Sequence, residues 1–421
     1  MTSLPQLPIR VAIACGGTGG HLFPGLAVAD QLVQRGCEVM LLISPKDVDQ
    51  QAVQGVAGMQ IVTLPAVGLK RGGELAFVRG FIQSYRAAAR LFKSRPPQAA
   101  LAMGGFTSAP PILAARRAGA RTFLHESNSI PGRANRWLSR VVQRAFVGFP
   151  SAGGRLHNRK VTVTGTPVRA GFHAREAAAC RLRLGLDPAR PVLLVMGGSQ
   201  GASGINELML RALPLLAGRA PDLQWFHLTG PSDAQKVSQA YAASKLKAVV
   251  HPFFAEMDLA LGAATAAVSR AGASSLAELA AMRVPAVLVP YPAATDNHQF
   301  YNARAFEATG AACLLEQRNA SPETLAQFLL DLIEKPAAHE RMRSALAQWH
   351  APHAAEQIAE AMLLLAGAEA GKGCCADPEP AASPGFRTSD TRSKSKSSQT
   401  GRMEIRESAA HNPALPERRA A

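Results

Sequence analysis

The feature that most constrains the fold is the alternation of short apolar runs with helix-forming segments between about residues 10 and 365. The first series of runs reads VAIA, EVMLLIS, QIVTLP, QAALAM, RTFLHE, RAFVGF and KVTVTG. A second series reads VLLVMGG, LQWFHLTG, LKAVVHPFF, AAVSRAG and PAVLVPYP. Continuous apolar runs are typical of parallel strands that are buried on both faces. Their alternation with helices predicts two doubly wound α/β domains that face each other across a ligand cleft.

Charge and cysteine content narrow the class of protein. The chain has 421 residues and a formal net charge of +16, which favours anionic partners such as phosphorylated substrates, anionic lipid or nucleic acid. No nucleic-acid-binding motif accompanies this dispersed charge, so we expect no nucleic acid partner. The six cysteines form no CxxC pair, and we expect reduced thiols in a cytosolic protein. No signal peptide and no run of ~18 apolar residues is found, which predicts a protein that is soluble or lies on a membrane.

The C-terminal segment differs from the rest of the chain. Residues 370–421 are rich in serine, proline and charge and poor in large apolar side chains. Such a composition cannot bury enough surface to offset the chain entropy lost on folding. We therefore predict that 370–421 is a disordered tail.

Three glycine-rich turns follow predicted strands. They read GGTGGH at 16–21, GGFTS at 104–108 and GGSQGASG at 197–204. A strand that runs through such a turn into a helix directs backbone N–H groups and the positive helix end at one spot, which favours a phosphate. The dinucleotide fingerprint GxGxxG fails because Leu22 occupies its last glycine position, and no Gly-Lys-Ser/Thr follows for an ATP P-loop. Three such turns suit two diphosphates better than one dinucleotide.

A series of motifs carries a family resemblance. GGTGGHLFPGLAVA, MGGFTSAP, HESNSIPGRANRWL, GTPVR, GGSQGASGIN, SRAGASSLAELAAMRVPAVLVPYP and DNHQFYNA stand in one order along 10–365. Together they resemble the peptidoglycan N-acetylglucosaminyltransferase family that converts lipid I to lipid II. Ala109 and Ser127 depart from this pattern, where the family often has Gly and Gln, and both are small residues.

The resemblance implies a GT-B fold with two Rossmann-like domains. An acceptor and membrane domain would span 1–167 and be joined by a C-terminal helix at about 350–367, and a UDP-GlcNAc domain would span 168–349. The implied reaction is the inverting transfer of GlcNAc from UDP-GlcNAc to the C4 hydroxyl of lipid I, in the synthesis of peptidoglycan for the cell wall. The implied location is the cytoplasmic face of the bacterial inner membrane, as a peripheral protein.

The resemblance also implies a set of donor contacts. Backbone N–H groups around Gly198 would hold the UDP diphosphate, Arg169 would pair with a phosphate, and Glu278 would accept both ribose hydroxyls. Phe254 is a candidate wall of the uracil pocket or a core residue. Of the two amides Gln299 and Asn302, we favour Gln299 on the GlcNAc hydroxyls. The predicted donor site comprises Thr18, Gly19, Gly20, Asn128, Arg169, Ser199, Gln200, Phe254, Ala273, Ser274, Ser275, Leu276, Ala277, Glu278 and Gln299.

The acceptor side needs an anion site and a general base. The predicted contacts of the acceptor diphosphate are Gly16, Gly17, Gly104, Gly105 and Ser108. Histidine titrates near neutrality, so we predict that His21 takes the proton of the attacking hydroxyl, kept neutral by its helix N-terminus. Glu126 and His125 are the rival bases, and a purely structural or binding role of His21 is the alternative.

We expect no resident metal or cofactor. The triplet DVD at 47–49 lies far from the predicted donor turn, and we interpret it as a solvated loop. Arg169 and a helix end can stabilise the leaving UDP without a metal, and Mg²⁺ would at most stimulate the reaction. Three other functions are weighed: another GT-B glycosyltransferase, a UDP-GlcNAc epimerase, and a nucleotide-binding scaffold.

A predicted helix at about 74–93 offers a membrane surface. Arg79, Arg86, Arg90 and Lys93 form one basic stripe, and an apolar arc beside it is wider than burial on a domain requires. We predict that Phe77 and Phe81, with Lys70, Arg71 and Arg79, contact an anionic membrane. The alternative is that the whole arc is covered by neighbouring helices.

Overall fold

The computed structural model describes residues 8–17, 19–65, 73–198 and 201–367. Thr18, Lys70, Arg71, Ser199, Gln200 and the whole 370–421 tail of the predictions lie outside these ranges. The strands are β1 (Arg10–Ala14), β2 (Glu38–Ile43), β3 (Met59–Thr63), β4 (Ala99–Ala102), β5 (Arg121–Glu126), β6 (Arg144–Val147), β7 (Val161–Val163), β8 (Val192–Met196), β9 (Gln224–Leu228), β10 (Ala248–His251), β11 (Ala266–Ser269), β12 (Ala286–Leu288) and β13 (Cys313–Leu314).

Helices alternate with these strands, as the sequence predicts. They are α1 (Gly19–Gln34), α2 (Asp47–Ala52), α3 (Glu74–Ser94), α4 (Ala109–Arg117), α5 (Arg133–Leu138), α6 (Pro150–Gly153), α7 (Ala177–Arg183), α8 (Ser203–Arg219), α9 (Ala234–Ala243), α10 (Met257–Ala263), α11 (Ala273–Met282), α12 (His298–Ala308), α13 (Pro322–Glu334), α14 (Pro336–Ala347) and α15 (Ala354–Gly367). Two short 3₁₀ helices span Thr295–Asn297 and Gln317–Asn319.

The strands form two parallel sheets. The first has seven strands in the order β3-β2-β1-β4-β5-β6-β7, and the second has six in the order β10-β9-β8-β11-β12-β13. In each sheet the order reverses beside the first strand, at β1/β4 and at β8/β11, which is where ligands bind in open α/β sheets. The register pairs Ala14 with Ala102 and Met196 with Ser269, so the turns that follow those strands are neighbours.

Each sheet is buried on both faces. Val11 and Ile13 face a core that includes Ile358 of α15, and Ala12 faces the opposite core with Phe92 of α3. The C-terminal helix α15 thus packs on the first domain, where Arg35 of α1 pairs with Glu356 at 3.1 Å. The domain boundary at 167/168 stays a prediction.

Two further findings bear on class and location. Cys15, Cys37, Cys180 and Cys313, the cysteines of the described residues, are free thiols. Within the described ranges, no helix combines the length and apolar character needed to cross a membrane.

The exposed face of α3 differs from the prediction. Phe77 and Phe81 are half-buried, and both line a small cavity under α3 together with Pro110 of α4. Leu75, Val78 and Ile82 are instead 88%, 52% and 42% exposed. The prediction that the exposed surface centres on the two phenylalanines is therefore wrong. Gly80, Ser84 and Ala88 are buried, and these small residues form the face that packs against α4.

Candidate active site

Residues of neighbouring segments hydrogen-bond to the first glycine turn and hold its backbone in place. Gly16 lies so close to the end of β2 that a Cβ there would come within 2.4 Å of the Ser44 nitrogen, and the Thr107 hydroxyl donates to the Gly16 carbonyl at 2.6 Å. The Gly17 N–H donates to Asp49 Oδ2 at 2.6 Å, and Lys46 Nζ donates to the Gly17 carbonyl at 2.9 Å.

Asp49 corrects two predictions. It is 0% exposed, so the DVD triplet is not a solvated loop. Its Oδ2 also accepts from the Ser44 nitrogen at 3.2 Å, while its Oδ1 is buried without a hydrogen-bond partner among the described residues. Because Asp49 occupies the Gly17 N–H, that donor is not available to a phosphate in this conformation. Nothing in the local sequence pattern signals this contact.

The second glycine turn meets the first around His21. Gly104 and Gly105 have φ values of +110° and +76°, which only glycine adopts readily. A Cβ at Gly104 would lie 3.0 Å from the His21 ring, and one at Gly105 would lie 3.3 Å from it. The glycines therefore let the backbone approach the imidazole closely. Ser108 is fully buried and its hydroxyl donates to the carbonyls of Ala14 and Gly104, so it supports the turn rather than facing a ligand.

The electrostatics of His21 keep its ring neutral. Burial, and to a smaller extent the charge of the nearby His298 of the second domain, lowers the pKa of His21 to about 4. The prediction that His21 is neutral agrees with this direction, although burial rather than the helix N-terminus is the largest cause. His298, which the sequence did not single out, lies at the start of α12.

Glu126 and His125 are built into the fold, which weakens both as rival bases. Glu126 is 3% exposed. Its carboxylate accepts from Asn128 N at 2.9 Å and Nδ2 at 3.1 Å, and from Gly132 N and Asn135 Nδ2 at 2.9 Å each. The buried His125 ring contacts the Gly165 carbonyl at 3.0 Å and the Ser127 hydroxyl at 3.2 Å. Burial lowers the pKa of His125 to about 4.

Asn302 joins the loop that follows β5, residues 127–132 (called the HESN loop), to the second domain. Its Oδ1 accepts from the Ser129 nitrogen and hydroxyl at 2.9 Å each, and its Nδ2 donates to Asn128 Oδ1 at 3.0 Å and to the Ala271 carbonyl at 3.1 Å. With 0% of its surface exposed, Asn302 has no face left for a sugar. Gln299 is half-buried, and its Oε1 accepts from Tyr291 N at 2.9 Å.

Arg169, in the segment between β7 and α7, lies beside Glu278 of α11. Arg169 Nη2 is 3.8 Å from Glu278 Oε1. The Arg169 guanidinium also stacks on Phe23 of α1 at 4.4 Å and on Phe172 at 5.0 Å, so it bridges the two domains. Burial raises the pKa of Glu278 to about 7, and the charge of Arg169 partly opposes that rise.

The other predicted donor residues fall around α11 and β10. Gly272 precedes α11, and the Ser274 hydroxyl donates across the cleft to the Gly20 carbonyl at 3.1 Å. Leu276 is 1% exposed in the core, so its side chain does not line a pocket as predicted. Phe254 packs edge-on to Phe226 at 5.1 Å and stacks with His251 at 5.5 Å. The remaining predicted donor residues on α11, Ala273, Ser275 and Ala277, precede Glu278 on the same helix.

Among the residues that the structure describes, no group of three or more His, Cys, Asp and Glu side chains could hold a metal ion.

These features define a class of protein. Two parallel α/β sheets, with glycine turns after their central strands, form the GT-B fold of glycosyltransferases. The glycosyltransferase family 28 N-terminal domain matches residues 11–147, and the family 28 C-terminal domain matches residues 192–358.

Relatives identify the family within this class. A protein of Anaeromyxobacter sp. (strain Fw109-5) named UDP-N-acetylglucosamine--N-acetylmuramyl-(pentapeptide) pyrophosphoryl-undecaprenol N-acetylglucosamine transferase is 37% identical over 84% of this chain and 92% of its own length. A protein of Geobacter sp. (strain M21) with the same name is 35% identical over 82% of this chain and 94% of its own. The chain belongs to this N-acetylglucosaminyltransferase family.

Solved structures agree with this family. MurG of Acinetobacter baumannii superimposes with a TM-score of 0.65 at 29% identity, covering 85% of this chain and all of that one. The calicheamicin glycosyltransferase CalG4 superimposes with a TM-score of 0.58 at 17% identity, covering 85% of this chain and 98% of that one, and shares the fold alone.

Proposed function

We propose that this chain transfers GlcNAc from UDP-GlcNAc to the C4 hydroxyl of N-acetylmuramyl-(pentapeptide) pyrophosphoryl-undecaprenol, lipid I, and so forms lipid II. The observation that carries the proposal is the 37% identity to a transferase of that name over 84% of the chain. The calicheamicin glycosyltransferase CalG4 shares only the fold, at 17% identity.

The donor end is built for a leaving nucleoside diphosphate. Arg169 supplies a guanidinium group, and the N-termini of α8 and α11 add positive potential at the carboxyl end of the second sheet. We propose that these groups stabilise the charge that grows on UDP, so that no resident metal is needed. The test is transfer in excess EDTA: activity should persist, and full loss restored by Mg²⁺ alone would contradict this proposal.

The acceptor end places His21 beside two glycine turns. The free protein holds its imidazole neutral, which is the form that can accept a proton. A diphosphate bound nearby would raise the pKa of His21 toward neutrality, because negative charge favours imidazolium. We propose that His21 removes the proton of the C4 hydroxyl as that oxygen attacks C1 of the donor sugar. UDP then leaves from the opposite face, giving a β-1,4 linkage with inversion.

The experiment that tests the reaction uses purified full-length chain, UDP-[¹⁴C]GlcNAc and a short-chain, water-soluble form of lipid I. Label should move to the lipid only when both substrates are present, and Glu278→Ala should abolish most of the transfer. Isomerisation or hydrolysis of UDP-GlcNAc without acceptor, and no labelled lipid, would favour an epimerase and contradict the proposal.

We also propose a peripheral position at the cytoplasmic face of the inner membrane, with α3 as the contact. Leu75, Val78 and Ile82 are exposed on one side of the helix, and Arg79 and Arg86 lie beside them. At ~100° per residue, these apolar and basic side chains occupy one continuous face. Exposed apolar residues next to arginines suit the interface of an anionic bilayer.

A further inference from the structure

Arg270 is a buried cation that the proposed mechanism does not use. It directly follows β11, where Ser269 pairs with Met196 at the end of β8. Its own N–H donates to the Met196 carbonyl at 3.4 Å. The residue is therefore next to the glycine turn that starts at Gly197, yet only 8% of its surface is exposed.

The guanidinium is satisfied by neutral acceptors alone. Nη1 donates to the carbonyls of Val289 at 3.0 Å and Pro290 at 3.1 Å, and Nη2 donates to Gln317 Oε1 at 2.8 Å. The guanidinium carbon also lies 5.5 Å from the centre of the Tyr291 ring. Within the described part of the chain, no carboxylate comes within ion-pair distance of Arg270. Burial lowers the pKa of Arg270 to about 10, so the group is still a cation at neutral pH.

An unpaired buried charge requires an explanation. Burying an ion carries a large desolvation penalty, and neutral acceptors offset only part of it. A neutral amide could donate to the same carbonyls at lower cost. The positive charge itself, and not only the hydrogen bonds, is therefore the feature to account for.

The charge lies near the carboxyl edge of the sheet, from which α8 and α11 both start. The Gln317 amide that accepts from Arg270 packs directly on Gly204 in the first turn of α8, where a Cβ would come within 2.6 Å of it. Only the Gln317 side chain therefore separates the guanidinium from the positive N-terminal end of the 17-residue helix α8. The second helix N-terminus, that of α11, begins three residues after Arg270 itself.

We propose that Arg270 is a positioning residue of the donor site: its buried, uncompensated guanidinium supplies positive potential beneath the nucleoside diphosphate and holds that anion, without contacting it. This inference rests on the proposed function, because it assigns the diphosphate to the turn after β8. The same potential would favour UDP as a leaving group, since the negative charge on the diphosphate increases during transfer.

The experiment separates a charge effect from a structural one. Arg270→Gln, Arg270→Lys and wild type are titrated calorimetrically with UDP, which is highly charged, and with uridine, which is neutral. We expect Arg270→Gln to weaken UDP binding about tenfold and uridine binding less than twofold. Arg270→Lys should keep UDP binding within about threefold of wild type. Arg283→Gln, which removes an exposed arginine of the same domain, is the matched control and should change neither.

Several results would overturn the proposal. Equal losses of UDP and uridine affinity in Arg270→Gln would mean that the residue only pins the loops at Val289 and Gln317. No loss for either ligand would mean that the charge does not reach the site. If Arg270→Gln does not fold, Arg270→Lys provides the test. Equal losses of UDP and uridine affinity in Arg270→Lys would show that Arg270 has only a structural role. A wild-type chain that binds no UDP would instead contradict the proposed function.

Discussion

At the scale of single residues, burial shifts the pKa values of His21 and Glu278 in opposite directions. It lowers the pKa of the imidazole to about 4 and raises that of the carboxyl to about 7, because in each case the neutral form is favoured. A neutral histidine is ready to accept a proton. A carboxyl that titrates near 7 is ready to be converted to its charged form by a ligand that donates two hydroxyl groups.

The first prediction concerns pH and donor binding. We predict that the ionised form of Glu278 accepts both ribose hydroxyls. Burial raises the pKa of this carboxyl to about 7, so the ionised form is lost as pH falls through that value. Affinity for UDP-GlcNAc should therefore be highest above pH 7 and fall about tenfold between pH 8 and pH 6. Titration calorimetry at each pH measures this affinity. Glu278→Gln should bind more weakly, with a flat pH profile, and an unchanged profile in that variant would assign the titration to another group.

The second prediction concerns the base. His21→Ala should lower turnover by roughly 10²–10⁴ while UDP-GlcNAc affinity stays within a few-fold of wild type. Single-turnover transfer to the short-chain acceptor at saturation measures the rate. His157→Ala, which removes an exposed histidine of the first domain, is the matched control and should retain full activity. A loss below tenfold for His21→Ala at saturating acceptor would remove His21 as the base.

At the scale of elements, strands were the most predictable part of the fold. The continuous apolar runs mark β1 to β12, and only β13, two residues long, has no pattern of its own. The glycine turns were also predictable, since they follow strands. The buried Asp49 beside the first turn was not predictable, because the contact of its carboxylate with Gly17 N joins the turn after β1 to α2, and only the pairing of β1 with β2 brings these two segments together.

The helix α3 shows where periodicity stops being informative. A helical wheel gives an apolar arc but does not say which part of it a neighbouring helix covers. The missed signal was the set of small residues Gly80, Ser84 and Ala88, which lets α4 pack closely. Phe77 and Phe81 lie on this same side and line the small cavity between the two helices. The exposed apolar residues are consequently those on the other side of the arc.

The third prediction tests that face. Replacing Leu75, Val78 and Ile82 together by serine should reduce binding to anionic vesicles about tenfold or more, because exposed apolar side chains no longer insert. Transfer to long-chain lipid I should fall with it, and transfer to the short-chain acceptor should survive. Leu182→Ser, at a site that is 68% exposed in the second domain, is the control. Equal loss with both acceptors would place the membrane contact elsewhere.

The phenylalanines serve as a comparison for the same helix. Phe77→Ser/Phe81→Ser should lower the melting temperature, since both rings are half-buried and pack on each other with centres 6.4 Å apart. Vesicle binding by the folded fraction should change little.

At the scale of the whole molecule, a few polar contacts join the two domains. Ser274 reaches Gly20, Arg136 pairs with Asp296 at 3.0 Å, and Asn302 holds Ser129. Two facing domains were predictable, because the alternating pattern occurs twice and each copy forms a sheet with one ligand edge. The side chains that meet across the cleft were not predictable. Their contacts depend on the relative orientation of the two domains, which no local sequence pattern encodes.

The last prediction concerns Asn302 as the link between the domains. Its amide satisfies groups of the HESN loop and the Ala271 carbonyl at once, so Asn302→Ala leaves buried polar groups unpaired on both domains, at ~1–3 kcal/mol each. We expect a more open free protein, seen as a larger radius of gyration by X-ray scattering, with a raised KM for UDP-GlcNAc and a lower kcat. Saturating UDP-GlcNAc should restore part of the compaction, because the predicted donor contacts lie on both domains. Asn319→Ala, an exposed asparagine of the second domain, should leave both readouts unchanged. A variant that loses melting temperature but keeps its radius of gyration and KM would show that Asn302 stabilises the fold without linking the domains.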